Sequence, residues 1–119
     1  MADEYNGWAN RETWAFLLHI DNDQSLYDMS REYVGSAVAH EIPGYRTDTA
    51  ADALKTWAET LFTRAGYVAE FGDSWPDGLA DTAEDIGSLW RVDWHEAAQS
   101  IMEDLDITDL DDDLDDVTA

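Results

Sequence analysis

The sequence predicts an all-α fold: a compact bundle of four to five short helices over residues 1–105, followed by an acidic tail at 106–119. Three observations carry this expectation. Apolar residues recur at helical spacing, most cleanly where Trp94, Ala97, Ala98, Ile101, Met102 and Leu105 fall at offsets 0, 3, 4, 7, 8 and 11. Capping residues precede such stretches: Asn10 near the start, and Asp93 with Glu96 as an aspartate variant of the capping box. Turn signals, Asn22-Asp23 and Ile42-Pro43-Gly44, divide them.

The first helix is expected after the aromatic lead-in Tyr5-Asn6-Gly7-Trp8, capped by Asn10 and running to about Asp21. Trp14, Phe16, Leu17, Leu18 and Ile20 cover more than one face, the mark of a central, buried helix with Trp14 as its anchor. The second starts at Gln24 or Ser25 and ends near Ala39, with Leu26, Met29, Tyr33 and Ala37 inward and Gly35 as a weak point. Thr47 is the expected cap of the third. Its stripe is Ala51, Leu54, Ala58, Leu61 and Ala65, flanked by Trp57 and Phe62, with Gly66 as the stop. Between Tyr67 and Trp75 the pattern is loose and admits a short strand at Val68. Pro76 reads as a first-turn proline of a fourth helix with Leu79, Ala83, Ile86 and Trp90 inward. The helix opened by Asp93 closes the domain, and no internal repeat is found.

Charge dominates the composition. Twenty-eight acidic residues oppose six basic ones, a formal net charge of −22 on 119 residues. Such a surface repels nucleic acid and anionic membrane and attracts basic proteins and cations. At one charge per about 1.7 Å, 22 charges match about 37 Å of duplex DNA, close to the roughly 35 Å diameter of a globule this size. Hydrophobic residues make up 45%, with six tryptophans, so the chain has the material for a core. The last seventeen residues hold nine acids and no base, punctuated by Leu105, Ile107, Leu110, Leu114 and Val117. That tail is expected to be disordered when free, with some capacity to fold against a basic, apolar groove.

Catalytic and metal signatures are missing from the sequence. There are no cysteines, which excludes disulfides, thiolate zinc sites and cysteine nucleophiles. His95-Glu96 starts like a zincin motif, but Gln99 stands where the second histidine belongs. The stretch Asp109 to Asp116 lacks the glycine and terminal glutamate of an EF-hand loop, so only weak adventitious Ca²⁺ or Mg²⁺ binding is expected there. No glycine-rich phosphate loop or nucleophile elbow occurs, and His19, His40 and His95 stand apart. The expectation is a non-enzymatic protein with no cofactor. Met1-Ala2-Asp3-Glu4 has no signal-peptide character and no run is long and apolar enough to cross a membrane, so a soluble cytoplasmic protein is expected.

Two features stand out as candidate partner-binding residues. Asp77, Asp81 and Asp85 fall at i, i+4 and i+8, with Glu84 beside them, a carboxylate row stepping about 6 Å along one helix face. No basic residue lies between Arg64 and Arg91 to relieve their repulsion. The row reads either as a solvated face or as a phosphate-like ridge. The second feature is Tyr5-Asn6-Gly7-Trp8-Ala9-Asn10-Arg11-Glu12-Thr13-Trp14, a glycine turn, an aromatic, an asparagine cap and a second aromatic. Its bland reading is an N-terminal packing clasp in which Trp8 folds back on the first turn, close to a hydrophobic staple. Arg11 and Glu12 are its expected exposed members.

That string resembles the signature Y-N-G-W-x-N-R-E-T-W of small proteins encoded by phages, archaeal viruses and plasmids. Val92-Asp93-Trp94-His95-Glu96-Ala97-Ala98 looks like the closing helix of the same group, so the resemblance spans residues 5–22 and 92–105. It implies a mobile-element origin and brings no settled activity.

Two functions fit. In the first the chain is an acidic inhibitor, resembling phage DNA mimics and anti-CRISPR proteins. It occupies the groove of a basic nucleic-acid-binding host defence protein and does not bind nucleic acid itself. In the second the acidity is adaptation to salt. Nineteen aspartates, nine glutamates and a single lysine, Lys55, form a pattern of salt-loving organisms and say nothing of a partner. At molar salt the Debye length is about 3 Å, so mimicry there needs shaped contacts as well as charge.

Overall fold

Asn10 starts the first helix as its sequence suggests. Its side-chain oxygen accepts from the Thr13 amide at 2.9 Å, and α1 runs Arg11–Asn22. Asp23 caps the next helix in the same way, accepting from the Leu26 amide at 3.0 Å, and α2 covers Gln24–Val38. A turn through Pro43 and Gly44 leads to α3, Arg46–Leu61, and Thr63 opens α4, Arg64–Phe71. After Pro76 come α5, Asp77–Ile86, a single 3₁₀ turn at Leu89–Arg91, and α6, Trp94–Asp104. The computed structural model describes residues 7–107, and there the fold is all-helical, with six α-helices and no strand. None is long and apolar enough to cross a membrane. Most of the acidic tail, 108–119, and the first two residues of the aromatic lead-in lie outside the described residues.

α3 is the hub, packed against α2, α4 and α6, while α1 lies across α2, α5 and α6. Phe16 of α1 sits at the centre of an aromatic cluster. Its ring meets Phe62 edge-on at 6.2 Å and Trp94 at 5.1 Å, and Trp57 meets Phe62 at 6.1 Å. Ile20, Val34, Leu54, Ile86 and Ile101, like Phe16, are fully buried. Trp14, the expected anchor, is only half-buried, and Leu18 is exposed. The fully inward positions of α1 are 13, 16, 17 and 20, together with Ala15, so Phe16 takes the central place.

Several expectations are corrected. In α2 the inward stripe is Leu26, Ser30, Val34 and Val38, which leaves Met29 and Tyr33 exposed. Both stripes have helical spacing, and the positions of α3 and α6 choose between them. The third helix begins two residues earlier than a Thr47 cap would put it, with Tyr45 at the cap position and no side-chain cap bond. Here the first turn is held by the preceding loop: Glu41 accepts from the Thr49 hydroxyl at 2.8 Å, and its carbonyl accepts from Arg46 Nε at 3.1 Å. Gly66 does not stop a helix. It lies in the first turn of α4, where the Thr63 hydroxyl accepts its amide at 3.0 Å. A Cβ on Gly66 would come within 2.2 Å of the Glu59 carbonyl oxygen, so only glycine permits this junction. The loose stretch is α4 itself, with Val68 helical and exposed, and its stop is Gly72 at φ +71°. Trp90, expected inward, is 78% exposed, because the helix ends at Ile86 and the 3₁₀ turn swings it out.

Among the described residues one charged side chain is buried, Arg31, 7% exposed. Its guanidinium joins three helices: it pairs with Asp21 at the end of α1 (3.0 Å) and with Asp104 at the end of α6, and it donates to Ser30 Oγ at 3.1 Å. It also lies 4.0 Å over the Tyr27 ring.

Candidate functional site

α5 carries the acidic row. Pro76 stands at the N-cap with extended backbone, one residue ahead of the first turn where the sequence put it, and Asp77 in the first turn suits the positive end of the helix dipole. Leu79 and Ala83 pack against the core and Ile86 is fully buried, so the opposite face must be solvated. Asp77, Asp81, Glu84 and Asp85 are all exposed on it. For Asp77, Asp81 and Glu84 no ion pair occurs among the described residues.

Asp85 differs. His19 Nε2 lies 2.6 Å from its carboxylate, and an Arg11 guanidinium nitrogen lies at 3.8 Å. The hydrogen bond from His19 holds the carboxyl below its ordinary range; the charges of His19 and Arg11 add to this, and partial desolvation opposes it. Relief of the repulsion thus comes from α1, 66 and 74 positions upstream, and not from the neighbouring sequence. The free row is therefore Asp77, Asp81 and Glu84, with Asp85 held in a local cluster.

Arg11 and Glu12 belong to that internal network. The Arg11 guanidinium donates to the carbonyls of Asp85 (2.8 Å) and Ile86 (3.2 Å), the last carbonyls of α5, which have no partner within their own helix. Glu12 pairs with Arg91 Nε at 3.3 Å. The rest of the N-terminal string is tied down as well. Asn10 Nδ2 donates to the Arg91 carbonyl at 2.7 Å, and the Ala9 backbone amide donates to the Glu96 carboxylate at 2.9 Å. The buried Thr13 hydroxyl donates to Asn10 and accepts from the Asp93 amide, both at 2.8 Å. Asp93 caps α6 through the Glu96 amide at 3.0 Å, but Glu96 does not return the bond. Its carboxylate serves Ala9, and Thr13 serves Asp93. Trp8 is half-buried against the core. The string is a clasp that fastens α1 to the end of α5, the 3₁₀ turn and the start of α6.

Three features escaped the sequence reading: the buried Arg31, the capping of α5 by Arg11, and a hollow beside Trp57. Both of the first two depend on a contact across more than 70 positions, Arg31 with Asp104 and Arg11 with Asp85, and no local pattern marks these contacts. No group of three or more histidine, aspartate or glutamate side chains able to hold a metal occurs among the described residues. The Asp109 to Asp116 stretch lies outside them.

Residues 1–55 match a family of unknown function (DUF7249). The matched part includes α1 and α2 and the N-terminal string, and stops within α3. Comparison with curated proteins and with solved structures returned no match.

Proposed function

We propose that this chain is a non-enzymatic interaction protein, an acidic DNA-mimic-like inhibitor of a basic nucleic-acid-binding host defence protein, of anti-CRISPR or anti-restriction type. The observation that carries the reading is the free row on α5: Asp77, Asp81 and Glu84 are exposed and unneutralised, while Arg11, Arg31 and Arg91 are engaged in internal bonds. Asp77 and Asp81 step about 6 Å along the axis, close to the roughly 6.8 Å rise of two phosphates on one DNA strand. A groove built for phosphates would meet them with arginines or lysines, and charge would steer the encounter. The Asp77→Asn/Asp81→Asn/Glu84→Gln variant keeps shape and removes three charges. A basic partner captured from the native host at its own ionic strength should bind this variant more weakly than an Asp52→Asn/Glu59→Gln/Glu103→Gln control. Duplex DNA should displace the wild-type protein from it. Equal losses from both variants, with no displacement by DNA, would overturn the reading.

A second reading, salt adaptation on a mobile-element protein of other role, is favoured by how widely the acids are spread. Exposed carboxylates also stand on α1 (Asp21), α2 (Asp28, Glu32), α3 (Asp52, Glu59), α4 (Glu70) and α6 (Glu103), which mimicry by α5 does not require. On this reading helix content recovers as screening increases. A melting temperature indifferent to KCl between about 0.1 and 2 M would sink it.

A further inference from the structure

Part of the surface of α2 that faces away from the core is apolar. Met29 and Tyr33 are 40% and 43% exposed, and Phe71 of α4, 50% exposed, lines a hollow together with Tyr33. Between them the floor is set by Trp57 and Leu61 of α3. Two adjoining hollows result. One of about 310 Å³ lies beside Met29, and one of about 220 Å³ lies beside Phe71, with Tyr33 and Trp57 lining both. Each has one charged lining residue, Glu32 in the first and Glu70 in the second, and no lysine or arginine lines either. Neither glutamate has an ion pair among the described residues.

We infer that this α2–α3–α4 groove docks a cationic amphipathic helix of a partner protein. Two large apolar side chains one turn apart fill the two hollows, and flanking lysines or arginines meet Glu32 and Glu70. Residues three or four apart on a helix are neighbours, about 5–6 Å from each other, and so can enter two hollows that share Tyr33 and Trp57 as a wall. Charge selects the occupant. A second copy brings a net charge of −22 to the two glutamates, and residues 108–119 bring six acids and no base. Both are repelled where a cationic helix is drawn in. The inference is independent of the carboxylate row on α5, which lines neither hollow.

The test is calorimetric titration of the full chain with a Leu/Lys peptide of about four turns, leucines on one face, against a scrambled peptide of the same composition. The ordered peptide should bind about tenfold more tightly or better. Met29→Glu should weaken it by a similar factor although the substitution adds negative charge, and an attraction by charge alone would strengthen instead. Phe71→Glu repeats the test on α4, where Phe71 is 50% exposed, with circular dichroism to check that the variant keeps its helix content. The inference is overturned if neither peptide binds, if both bind equally, or if the glutamate variants bind as well as wild type. It also fails if the charge-neutral change Leu110→Ser/Leu114→Ser raises peptide affinity, which makes the chain's own C-terminus the occupant. Sedimentation showing a dimer that Met29→Glu dissolves would make the occupant a second copy and equally refute it.

Discussion

Replacing Arg31 by methionine keeps most of the side chain's length and apolar stem while deleting the charge that joins the ends of α1 and α6 to α2. The guanidinium side chain is 8% exposed, whereas Asp21 and Asp104 are each 44% exposed. Breaking a fully buried pair by removing one partner costs about 3–5 kcal/mol. Here the stranded carboxylates rehydrate, which lowers the cost, while their mutual repulsion and the lost contact over Tyr27 raise it. The expected loss is about 2–3 kcal/mol, a drop of roughly 10–20 °C in melting temperature for a domain of this size. Circular dichroism melts and urea titrations at pH 7 measure it. Arg31→Lys should fall between the two, since an ammonium cannot serve both carboxylates with a planar fork. A loss below about 0.5 kcal/mol, or a gain in stability, would refute the reasoning and reduce the cluster to an ordinary surface ion pair.

Phe16→Ala empties the centre of the aromatic cluster and should cost about 3–5 kcal/mol, and Trp14→Ala should cost distinctly less because that ring is half-buried. Equal losses in urea titration would show that the centre has been misplaced. Asp85 predicts a pH dependence. Its carboxyl titrates below its ordinary 3.8, so the stability it adds is fully present above that value and disappears as pH falls through the lower folded value. Wild type should therefore outlast Asp85→Asn near neutral pH and lose that advantage in acid. An advantage that survives below the folded value would show that the cluster acts by packing alone.

Much of this fold was legible because its signals are local. Asn10 and Asp93, read as caps, each bond an amide three positions on, within a single turn, and Asp23, read only as a turn residue, does the same. Apolar periodicity likewise picked out the buried face of α6 residue by residue. α4 was missed because none of its residues is fully buried and Tyr67 alone packs on the core, which leaves no apolar stripe to read: it forms where Thr63 caps it and where the Glu59 carbonyl lies close to Gly66. The carboxylate row was visible as a spacing, but its division into free and paired members was not.

By itself the sequence determined the helical class, most helix starts, the apolar content of the core and the acidity. These follow from backbone capping, periodicity and composition, which act over a few residues or over the whole chain at once. Tertiary structure decided which of two equally periodic stripes of α2 turns inward, that Phe16 and not Trp14 is central, and that Arg11 and His19 hold Asp85. It also left Met29, Tyr33 and Phe71 beside an open groove. Each of these depends on which helices lie opposite one another, and burial and ion pairing are set by neighbours in space however far apart they stand in the chain.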